Sequence, residues 1–524
     1  MIKIPLLNTV YNDKLLIDLL ENKEQLKDFH NGTNLSAIDS EFINHRDLDL
    51  KRRKTLVNSI KQQYLDANLA VPKNLDKLSK KGCFTITTGH QLCVFGGPQY
   101  FIHKIISVIK IAQGLKKRFP NNDFVPVFWL ASEDHDFKEI SNLNIFNNEL
   151  KVEKEDSIGV GKLSPSIFEP VLNDLKVIFK NDNRFKNLNK IFSEALCKDN
   201  WSLATRFWLA KLFDVNELII VDPDDKSLKE LFVSTMNDEI DNQFIHNCVK
   251  STNNKLDNLG YNPKINPREL NLFYLSDDKR ERIIFKQKSF HIGNLVFSKN
   301  ELQQKLKQNP ERFSPNVLLR PLYQETILPN LVYVGGPSEI TYWAQLKESF
   351  DSVRVNYPVV ILRDHFSWMT KKQIDLWVKL GFSAEDLLKN ESDLVKIFLF
   401  KNHKNEFSIN DEKSLLTNLE SSLTNKAEKI DLSLVPSVKS MINRMNKDLN
   451  KIQQKILQSI KRGQEQKLNQ IIKINNLIVE KGKLKERSQN FIAPYINSSK
   501  DYTQSLLESS NCEDNQLKIL FYTS

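Results

Sequence analysis

The stretch TTGHQLCVFGGPQY (87–100) joins an apolar run to a helical pattern, and it carries residues that could do chemistry. In an open α/β sheet, ligands bind beyond the carboxyl ends of the strands, where the next helix presents free N–H groups. Gly96 and Gly97 permit close backbone approach, and the proline after them suits a first helical turn. We therefore expect His90 and Gln91 to project into a ligand-binding crevice. The alternative is a tight turn around a hydrogen-bonded core histidine.

A second apolar run ends in four polar residues. The stretch VFWLASEDHDF (127–137) leads into Glu133, Asp134, His135 and Asp136. Carboxylates beside an imidazole can position an amine, hold a metal or shuttle protons. A metal needs three or more convergent ligands, and no partner set is visible, so we predict no metal. The alternative is that Asp134 or Asp136 caps a helix.

A third junction repeats the paired glycines. The stretch VYVGGPSEITYWAQLK (332–347) places Gly335 and Gly336 before a helix start. Glu339 and Tyr342 follow at a spacing that puts them on one helix face. The segment just upstream, LLRPLYQETILPN, adds Arg320, Tyr323 and Gln324. Two such glycine junctions and the acidic corner together mark one edge of a sheet as a binding site.

We expect the elements that position these junctions to form a parallel sheet with helices on both faces. Continuous apolar runs are typical of strands that are covered on both sides. The runs are CFTIT (83–87), FVPVFWLA (124–131), ELIIVD (217–222), NVLLRP (316–321), LVYVGG (331–336) and PVVILRD (358–364). We predict a doubly wound α/β core over residues 1–380, with helices in residues 1–80 and insertions near 140–215 and 225–315.

Beyond residue 380 the strand signals stop, and we predict an α-helical domain over residues 381–524. Residues 437–487 carry two long patterns of apolar residues three and four apart, with Gly463 near their join. Such spacing forms an amphipathic seam, which we interpret as an antiparallel coiled coil. Two helices bury this seam only partly, so we predict a homodimer through the coil. The alternative is a helix pair packed within a monomeric bundle.

Composition narrows the class of protein. The 524 residues include 75 basic and 65 acidic residues, for a net charge of +10, and 40% are hydrophobic. A globular protein with a small anionic substrate fits these values, and they do not demand a nucleic-acid partner. Five scattered cysteines without a C-x-x-C pair favour reduced thiols over a disulfide framework or a zinc site. With no signal peptide and no apolar run near the roughly 18 residues of a membrane span, we expect a cytoplasmic protein.

Several of these stretches together resemble the cysteine-adding enzymes of bacillithiol biosynthesis, and the likeness covers nearly the whole chain. The stretches are TTGHQ, GGPQY with HKI, PVFWLASEDHDF, GGPSEITYWAQLK, YPVVILRDHF and LKERSQNF (484–491). The resemblance implies a Rossmann-like core similar to class I aminoacyl-tRNA synthetases, with connecting-peptide-like insertions and a dimerising coiled-coil domain. It implies a ligase that joins the carboxyl group of cysteine to the glucosamine amine of glucosaminyl-malate.

The resemblance also implies a bound nucleotide, ATP or ADP, with candidate contacts in two motifs. WMTKKQ (368–373) faintly resembles the lysine-rich signature loop of the synthetases, and LKERSQNF lies where the chain returns toward the core. The candidates are Lys371, Lys372, Arg487 and Asn490. The alternatives are an exposed helix start for the two lysines and ion pairing on a helix surface for the other two.

For catalysis, we hypothesise that His90 and Gln91 hold an anionic phosphate or oxyanion, aided by the N–H groups near Gly96 and Gly97. By the family likeness, His90 and Gln91 occupy the place of the synthetases' H-x-G-H histidines, although no second histidine follows here. Asp134 or His135 then receives the sugar ammonium and takes its proton.

For substrate binding, we hypothesise that Arg320 pairs with a malate carboxylate, for which a guanidinium fork is well shaped. Glu339 and Tyr342 recognise the cysteine ammonium or sugar hydroxyls. The other predicted substrate contacts are Gln324, Gly335 and Gly336. Two other classes stay open: a tRNA-binding module with a synthetase-like fold, and a non-catalytic, nucleotide-binding dimeric scaffold.

Overall fold

The structure is a computed structural model that describes residues 1–7, 9–46, 48–146, 148–153, 158–180, 182–213, 217–277, 279–498 and 501–522. The chain forms two compact units. The first is Met1–Ser367 together with Glu486–Ser524, and the second is Trp368–Lys485. This division differs from the predicted one at residue 380, because a C-terminal segment returns to the first unit.

The strands and helices are numbered here in chain order. The strands are β1 Ile2–Pro5, β2 Cys83–His90, β3 Asp123–Leu130, β4 Asn142–Ile145, β5 Asn148–Lys151, β6 Ile219–Val221, β7 Leu272–Leu275, β8 Arg280–Lys286, β9 Ser289–Ile292, β10 Leu295–Phe297, β11 Phe313–Pro315, β12 Asn330–Gly335, β13 Val359–Leu362, β14 His365–Thr370, β15 Val479–Glu480, β16 Lys483–Leu484 and β17 Gln516–Tyr522. The helices are α1 Lys14–Leu20, α2 Ser40–Asn44, α3 Leu50–Asp66, α4 Tyr100–Arg118, α5 Phe137–Ile140, α6 Glu169–Ile178, α7 Asn183–Leu196, α8 Trp201–Leu212, α9 Lys226–Glu230, α10 Val233–Asn242, α11 Phe244–Asn258, α12 Lys299–Gln308, α13 Arg320–Ile327, α14 Pro337–Trp343, α15 Lys347–Ser352, α16 Lys371–Lys379, α17 Glu391–Phe407, α18 Asn410–Ile430, α19 Val435–Gly463, α20 Glu465–Asn475, α21 Ile492–Asn497 and α22 Tyr502–Ser509.

The core of the first unit is a five-stranded parallel sheet in the order β13-β12-β2-β3-β6. The chain enters at the middle strand β2, runs outward through β3 to β6, then crosses back to β12 and β13. The predicted doubly wound parallel sheet is confirmed, because its strands are apolar on both faces and are buried almost throughout. The direction of winding reverses between β2 and β12, and ligands bind at such a switch point.

One predicted strand of this sheet is wrong. Residues 316–319 of the run NVLLRP form a turn, and Arg320 begins helix α13. The side chain of Asn316 accepts the N–H groups of Leu318 and Leu319 at 2.9 and 3.1 Å, which folds the backbone into a turn. Proline at the start of α13 then favours the helix. The two leucines are buried, so their apolar character serves the core without a strand.

The two predicted insertion intervals contain elements of their own. Between β3 and β6 lie the hairpin of β4 and β5 and helices α6–α8. Between β6 and β12 lie helices α9–α12 and an antiparallel sheet in the order β10-β9-β8-β7-β11.

The residues after the second unit form helices α21 and α22 and then strand β17. From Glu486 they return to the first unit, where β17 pairs antiparallel with β1. The prediction of a helical domain to residue 524 misses this strand. It is seven residues long and mostly apolar, and the ammonium of its Lys518 is buried against Asp364 at 2.8 Å. Its pairing partner β1 lies at the other end of the chain, so the local sequence does not indicate which sheet the strand joins.

The second unit contains helices α16–α20. A connection over residues 431–434 joins α18 to α19, and so short a link places neighbouring helices antiparallel. The apolar seam of α19 therefore packs against α18, which precedes it in the chain. The coil accordingly begins before residue 437, the first residue of the predicted range 437–487. The leucine spacing in α18 was a usable signal for it. No helix in the described part of the chain has both the length and the apolarity needed to cross a membrane.

Candidate active site at the switch point

A cavity of about 420 Å³ lies at the switch point and is called here the switch-point cavity. Residues that follow β2 and β12 line it, together with residues from α4, α13 and α14. Eight predicted site residues line it: His90, Gln91, Arg320, Gln324, Gly336, Glu339, Tyr342 and Arg487. The other eight lie elsewhere: Asp134, His135, Gly96, Gly97, Gly335, Lys371, Lys372 and Asn490.

His90 is the last residue of β2, and its ring is neutral at pH 7. Nδ1 lies 3.0 Å from the carbonyl oxygen of Gln91, which can only accept, so Nδ1–H is the donor. Nε2 then accepts the hydroxyl proton of Tyr100 at 3.0 Å. Burial, reinforced by the charge of Lys104, lowers the pKa of His90 to about 4. His90 therefore orients Tyr100, as the hydrogen-bonded alternative predicts, and it has no positive charge to hold a phosphate.

Asp134 is an ionised carboxylate behind the cavity wall. Gln91 Nε2 donates to its Oδ2 at 2.7 Å, and Arg320 Nη2 donates to the same atom at 3.3 Å. Arg280 Nη1 lies 3.4 Å from its Oδ1. Burial raises the pKa of Asp134, but the neighbouring His135 and the charges of Arg320 and Arg280 outweigh burial and hold it well below its usual range. Its predicted role as proton acceptor fails for that reason, and its carboxylate instead fixes Gln91 and Arg320.

The other residues of the acidic corner also have structural partners. His135 accepts a hydrogen bond from Arg280 Nη1 at 3.0 Å through Nδ1. Glu133 is buried, and its Oε1 lies 2.6 Å from Lys229 Nζ. The side chain of Asp136 caps α5, which confirms the helix-capping alternative for that residue.

The loop after β2 uses its backbone donors internally. The N–H groups of Gly96 and Gly97 donate to the carbonyl oxygens of Cys93 and Val94 at 3.2 and 3.0 Å. The side-chain amide of Asn490, which is fully buried, donates to the carbonyl oxygen of Gly97 at 2.7 Å. The predicted oxyanion role of the two glycines is therefore wrong, and Asn490 stabilises this loop instead of contacting a nucleotide.

Glu339 and Lys104 form a buried ion pair in the cavity wall, with Oε2 2.5 Å from Nζ. The Tyr333 hydroxyl donates to Oε1 at 2.5 Å, and the N–H of Gly336 donates to Oε2 at 2.8 Å. Burial raises the pKa of Glu339, but the charge of Lys104 outweighs burial, so the pKa is lowered and the carboxylate is ionised. Tyr342 lines the cavity one helix step away, and burial raises its pKa.

Arg363 lies in the cavity wall directly after β13. Its Nη2 donates to Glu486 Oε1 at 2.7 Å, and its guanidinium carbon lies 5.0 Å from the centre of the Tyr100 ring. His365 Nδ1 lies 2.6 Å from the same carboxylate oxygen. Arg363 is 2% exposed, and its Nε has no hydrogen-bond partner among the residues the structure describes. A buried N–H donor without a partner is costly, so this one can favour a ligand with an acceptor atom.

The four predicted nucleotide contacts have different surroundings. Lys371 and Lys372 are the exposed first residues of α16 in the second unit, as the helix-start alternative predicts. Arg487 lines the cavity, whereas Asn490 is buried against the loop after β2. We therefore derive no reaction step through a nucleotide. Within the described ranges, no cluster of three or more His, Cys, Asp or Glu side chains could hold a metal ion.

Two further predicted substrate contacts, Gln324 and Gly335, lie at or beside the cavity. Gln324 lines the cavity, and its amide donates to Glu325 Oε1 at 2.8 Å. Gly335 ends β12, and a Cβ on it would lie 2.9 Å from Cβ of Glu339. This glycine is needed for packing of the α14 start.

Sequence reasoning missed five residues that form the site: Tyr100, Lys104, Glu139, Arg363 and Glu486. Tyr100 and Lys104 are four residues apart at the start of α4, and this spacing puts them on one helix face. Arg363 and Asp364 follow a strand directly, as the other junction residues do. Glu486 gave no usable signal, because its partners are distant in the chain.

Comparison with known proteins agrees with this architecture. Residues 2–364 match the family model "Bacillithiol biosynthesis BshC, N-terminal Rossmann-like domain", and residues 366–522 match "Bacillithiol biosynthesis BshC, C-terminal coiled-coil domain". A Flavobacterium johnsoniae protein named "Putative cysteine ligase BshC" is 34% identical over 95% of both chains. Proteins of the same name from Christiangramia forsetii and Staphylococcus carnosus are 34% identical over 98% of both chains, and 28% identical over 76% of this chain and 77% of theirs. This chain belongs to the bacillithiol biosynthesis BshC family.

Proposed function

We propose that this chain is a carbon–nitrogen ligase that joins the carboxyl group of cysteine to the glucosamine amine of glucosaminyl-malate. The observation that carries the proposal is the charge of the switch-point cavity, which three guanidinium groups and the buried ion pair of Lys104 and Glu339 line. The names of its relatives specify cysteine and ligase. The likeness of the core to class I aminoacyl-tRNA synthetases is part of the same proposal.

The guanidinium groups suit a dicarboxylate such as the malate portion. Arg320, Arg363 and Arg487 line the cavity. Asp134 holds Arg320 at 3.3 Å, and Glu486 holds Arg363 at 2.7 Å, so both side chains are oriented before a ligand arrives. A guanidinium that is already oriented loses less side-chain entropy when it binds a carboxylate.

The remaining wall suits the uncharged part of the ligand. Tyr100, fixed by His90, and Tyr342 present aromatic faces and hydroxyl groups toward a sugar ring. Cysteine and the sugar amine then meet at the cavity mouth. We further propose that the enzyme works in the cytoplasm, where its cysteines stay reduced, and that it dimerises through the second unit.

Calorimetric titration tests the proposal. Glucosaminyl-malate should bind the purified full chain, whereas methyl glucosaminide, which lacks both malate carboxylates, should bind at least ten-fold more weakly. Arg320→Met should remove most of this preference, because a charged hydrogen bond contributes about 1.5–3 kcal/mol. Arg312→Met, which removes a guanidinium paired to an exposed Asp277, is the matched control. Equal binding of the two ligands by the wild type would contradict the proposal.

A second test uses cells that lack their own family member. The wild-type chain should restore bacillithiol, and Arg320→Met should restore much less. A scaffold without catalytic function would restore it in neither case. A tRNA-binding module would instead retain tRNA at physiological salt, independently of Arg320.

A further inference from the structure

Gln91 lines the switch-point cavity and holds a buried acceptor atom in its wall. Its amide N–H groups must face Asp134, because an ionised carboxylate can only accept. The carbonyl oxygen Oε1 is then the amide atom that faces away from Asp134. This atom is buried, and no described residue donates a hydrogen bond to it. A buried acceptor in a cavity wall favours a ligand that carries a donor.

Glu139 presents a second acceptor group to the same cavity. It lies in α5, and its side chain is exposed at the cavity mouth. Its backbone is fixed at both ends, because its N–H donates to Asp136 Oδ1 at 3.3 Å and its carbonyl oxygen accepts from Cys93 Sγ at 3.7 Å. Its carboxylate has no hydrogen bond or ion pair with any residue in the described part of the chain.

Glu339, the other carboxylate of the cavity, differs from Glu139. Lys104, Tyr333 and Gly336 already bind both of its oxygens. A ligand ammonium would have to displace one of these partners. Among the described residues that line the cavity, Glu139 therefore remains as the carboxylate with free acceptor capacity.

On the basis of the proposed function, we propose that Glu139 and Oε1 of Gln91 form the subsite for the sugar ammonium, and that Glu139 takes its proton. Neither residue was assigned to the amine by the sequence pattern, which favoured Asp134 or His135. The amide oxygen orients the ammonium through a hydrogen bond. The carboxylate binds it by charge and then acts as the general base.

The step balances in protons and electrons. The ammonium gives one proton to the Glu139 carboxylate and becomes a neutral amine. The nitrogen lone pair attacks the carbonyl carbon of a cysteinyl acyl donor, whose carboxyl group bears a leaving group. The carbon–nitrogen bond forms, the leaving group departs with its bonding electrons, and the second proton lost from nitrogen goes to it.

The surroundings of Glu139 favour proton uptake. Partial desolvation raises its pKa, and the charges of Asp136 and Asp134 raise it further, whereas Arg320 lowers it. Burial raises the pKa of the neighbouring Cys93 thiol to about 12, and this thiol donates to the backbone carbonyl oxygen of Glu139. A carboxylate whose pKa is raised is a better base near neutral pH.

Binding of two ligands tests the subsite without any acyl donor. Glu139→Gln should weaken binding of glucosaminyl-malate to the full chain about ten-fold or more, because the ammonium loses its charged partner. Binding of the N-acetylated ligand, which has no ammonium, should change by less than about two-fold. Glu169→Gln, an exposed carboxylate at the start of α6, should leave both affinities unchanged.

The pH dependence gives a second readout. Relative to the N-acetylated ligand, the wild type should bind glucosaminyl-malate more tightly as pH rises through the pKa of Glu139. Asp136→Asn removes a neighbouring negative charge and so shifts this rise to lower pH, while asparagine still caps α5. Glu139→Gln should abolish the rise.

The outcomes separate the two ideas. If the wild type does not bind glucosaminyl-malate, the proposed function is overturned, and the subsite with it. If the wild type binds but Glu139→Gln binds equally well, or loses both ligands equally, only the subsite is overturned. Selective loss of the amine ligand supports it.

Discussion

At the scale of single residues, the site is built from side chains that hold one another before any ligand arrives. The ring of His90 fixes Tyr100, the carboxylate of Asp134 fixes Gln91, and Glu486 fixes Arg363. Each of these fixed groups then faces the cavity. His90 and Asp134, which the sequence pattern predicted as catalytic residues, thus orient other side chains that line the cavity.

The neutral state of His90 should make folding stability depend on pH. Its pKa is lowered to about 4 in the folded chain by burial, so the unfolded chain binds the proton more readily. Stability is therefore fully present above the unfolded value of about 6.5 and is lost as pH falls toward the folded value. This group alone should cost about 2 kcal/mol between pH 7 and pH 5.

Urea unfolding of His90→Gln at both pH values measures that contribution. Glutamine cannot titrate, so the variant should lose about 2 kcal/mol less than the wild type between pH 7 and pH 5. An identical loss in both proteins would show that His90 is not buried as a neutral ring.

The residue types at the strand ends predicted which junctions form the site. They did not predict roles, because a role depends on which donors surround each acceptor. Asp134 and Glu139 lie five positions apart in one segment. Two arginines pair with the first, whereas no arginine in the described part of the chain pairs with the second. Spacing alone cannot distinguish them.

At the scale of elements, the loop between β2 and α4 depends on contact with the returning C-terminal segment. Gly96 has φ +82°, and a Cβ placed on it would lie 2.7 Å from Cε1 of Phe491. Asn490 binds the carbonyl oxygens of the same loop. The conformation of the loop that follows His90 therefore depends on Asn490 and Phe491, which are about 400 positions later in the chain.

Gly96→Ala should destabilise the fold by about 3 kcal/mol, because it adds backbone strain at positive φ to a clash with an aromatic ring. The expected result is a lower urea midpoint with an unchanged slope.

Gly114→Ala is the matched control. Gly114 lies in α4, and a Cβ there would meet nothing within 4 Å. Alanine should stabilise the helix by about 0.5–1 kcal/mol. If both substitutions raised stability, the packing of Phe491 against the loop would be disproved.

Periodicity predicted the parallel sheet well, since its strands are covered on both faces. It failed where tertiary partners override local character. Residues 317–319 are apolar but form a turn because the Asn316 side chain accepts hydrogen bonds from the N–H groups of Leu318 and Leu319. β17 pairs with β1 from the other end of the chain, so its local sequence does not indicate which sheet it joins.

At the scale of the whole molecule, the second unit exposes apolar side chains that an isolated chain leaves in water. In α19, Met441 and Met445 are 37% and 40% exposed and lie one helical turn apart. Leu415 of α18 is 68% exposed. Exposed apolar residues along a coiled coil are consistent with the proposed dimer.

The double variant Met441→Glu, Met445→Glu should convert the dimer to a monomer, because four like charges would meet where apolar contacts are proposed. Sedimentation velocity measures the change in mass. Asn443→Glu with Lys447→Glu, on another face of the same helix, should leave the dimer intact. A wild-type chain that sediments as a monomer would contradict the proposal.

The sheet and site belong to a unit whose last part is encoded after the whole second unit. On the ribosome, β2 and β12 emerge long before Glu486, Asn490 and Phe491. Until then, the nascent first unit lacks the carboxylate partner of Arg363 and the residues that cover the loop before α4. A stalled or prematurely released product would lack a working pocket, so translation itself sets when this enzyme can begin to bind its ligand.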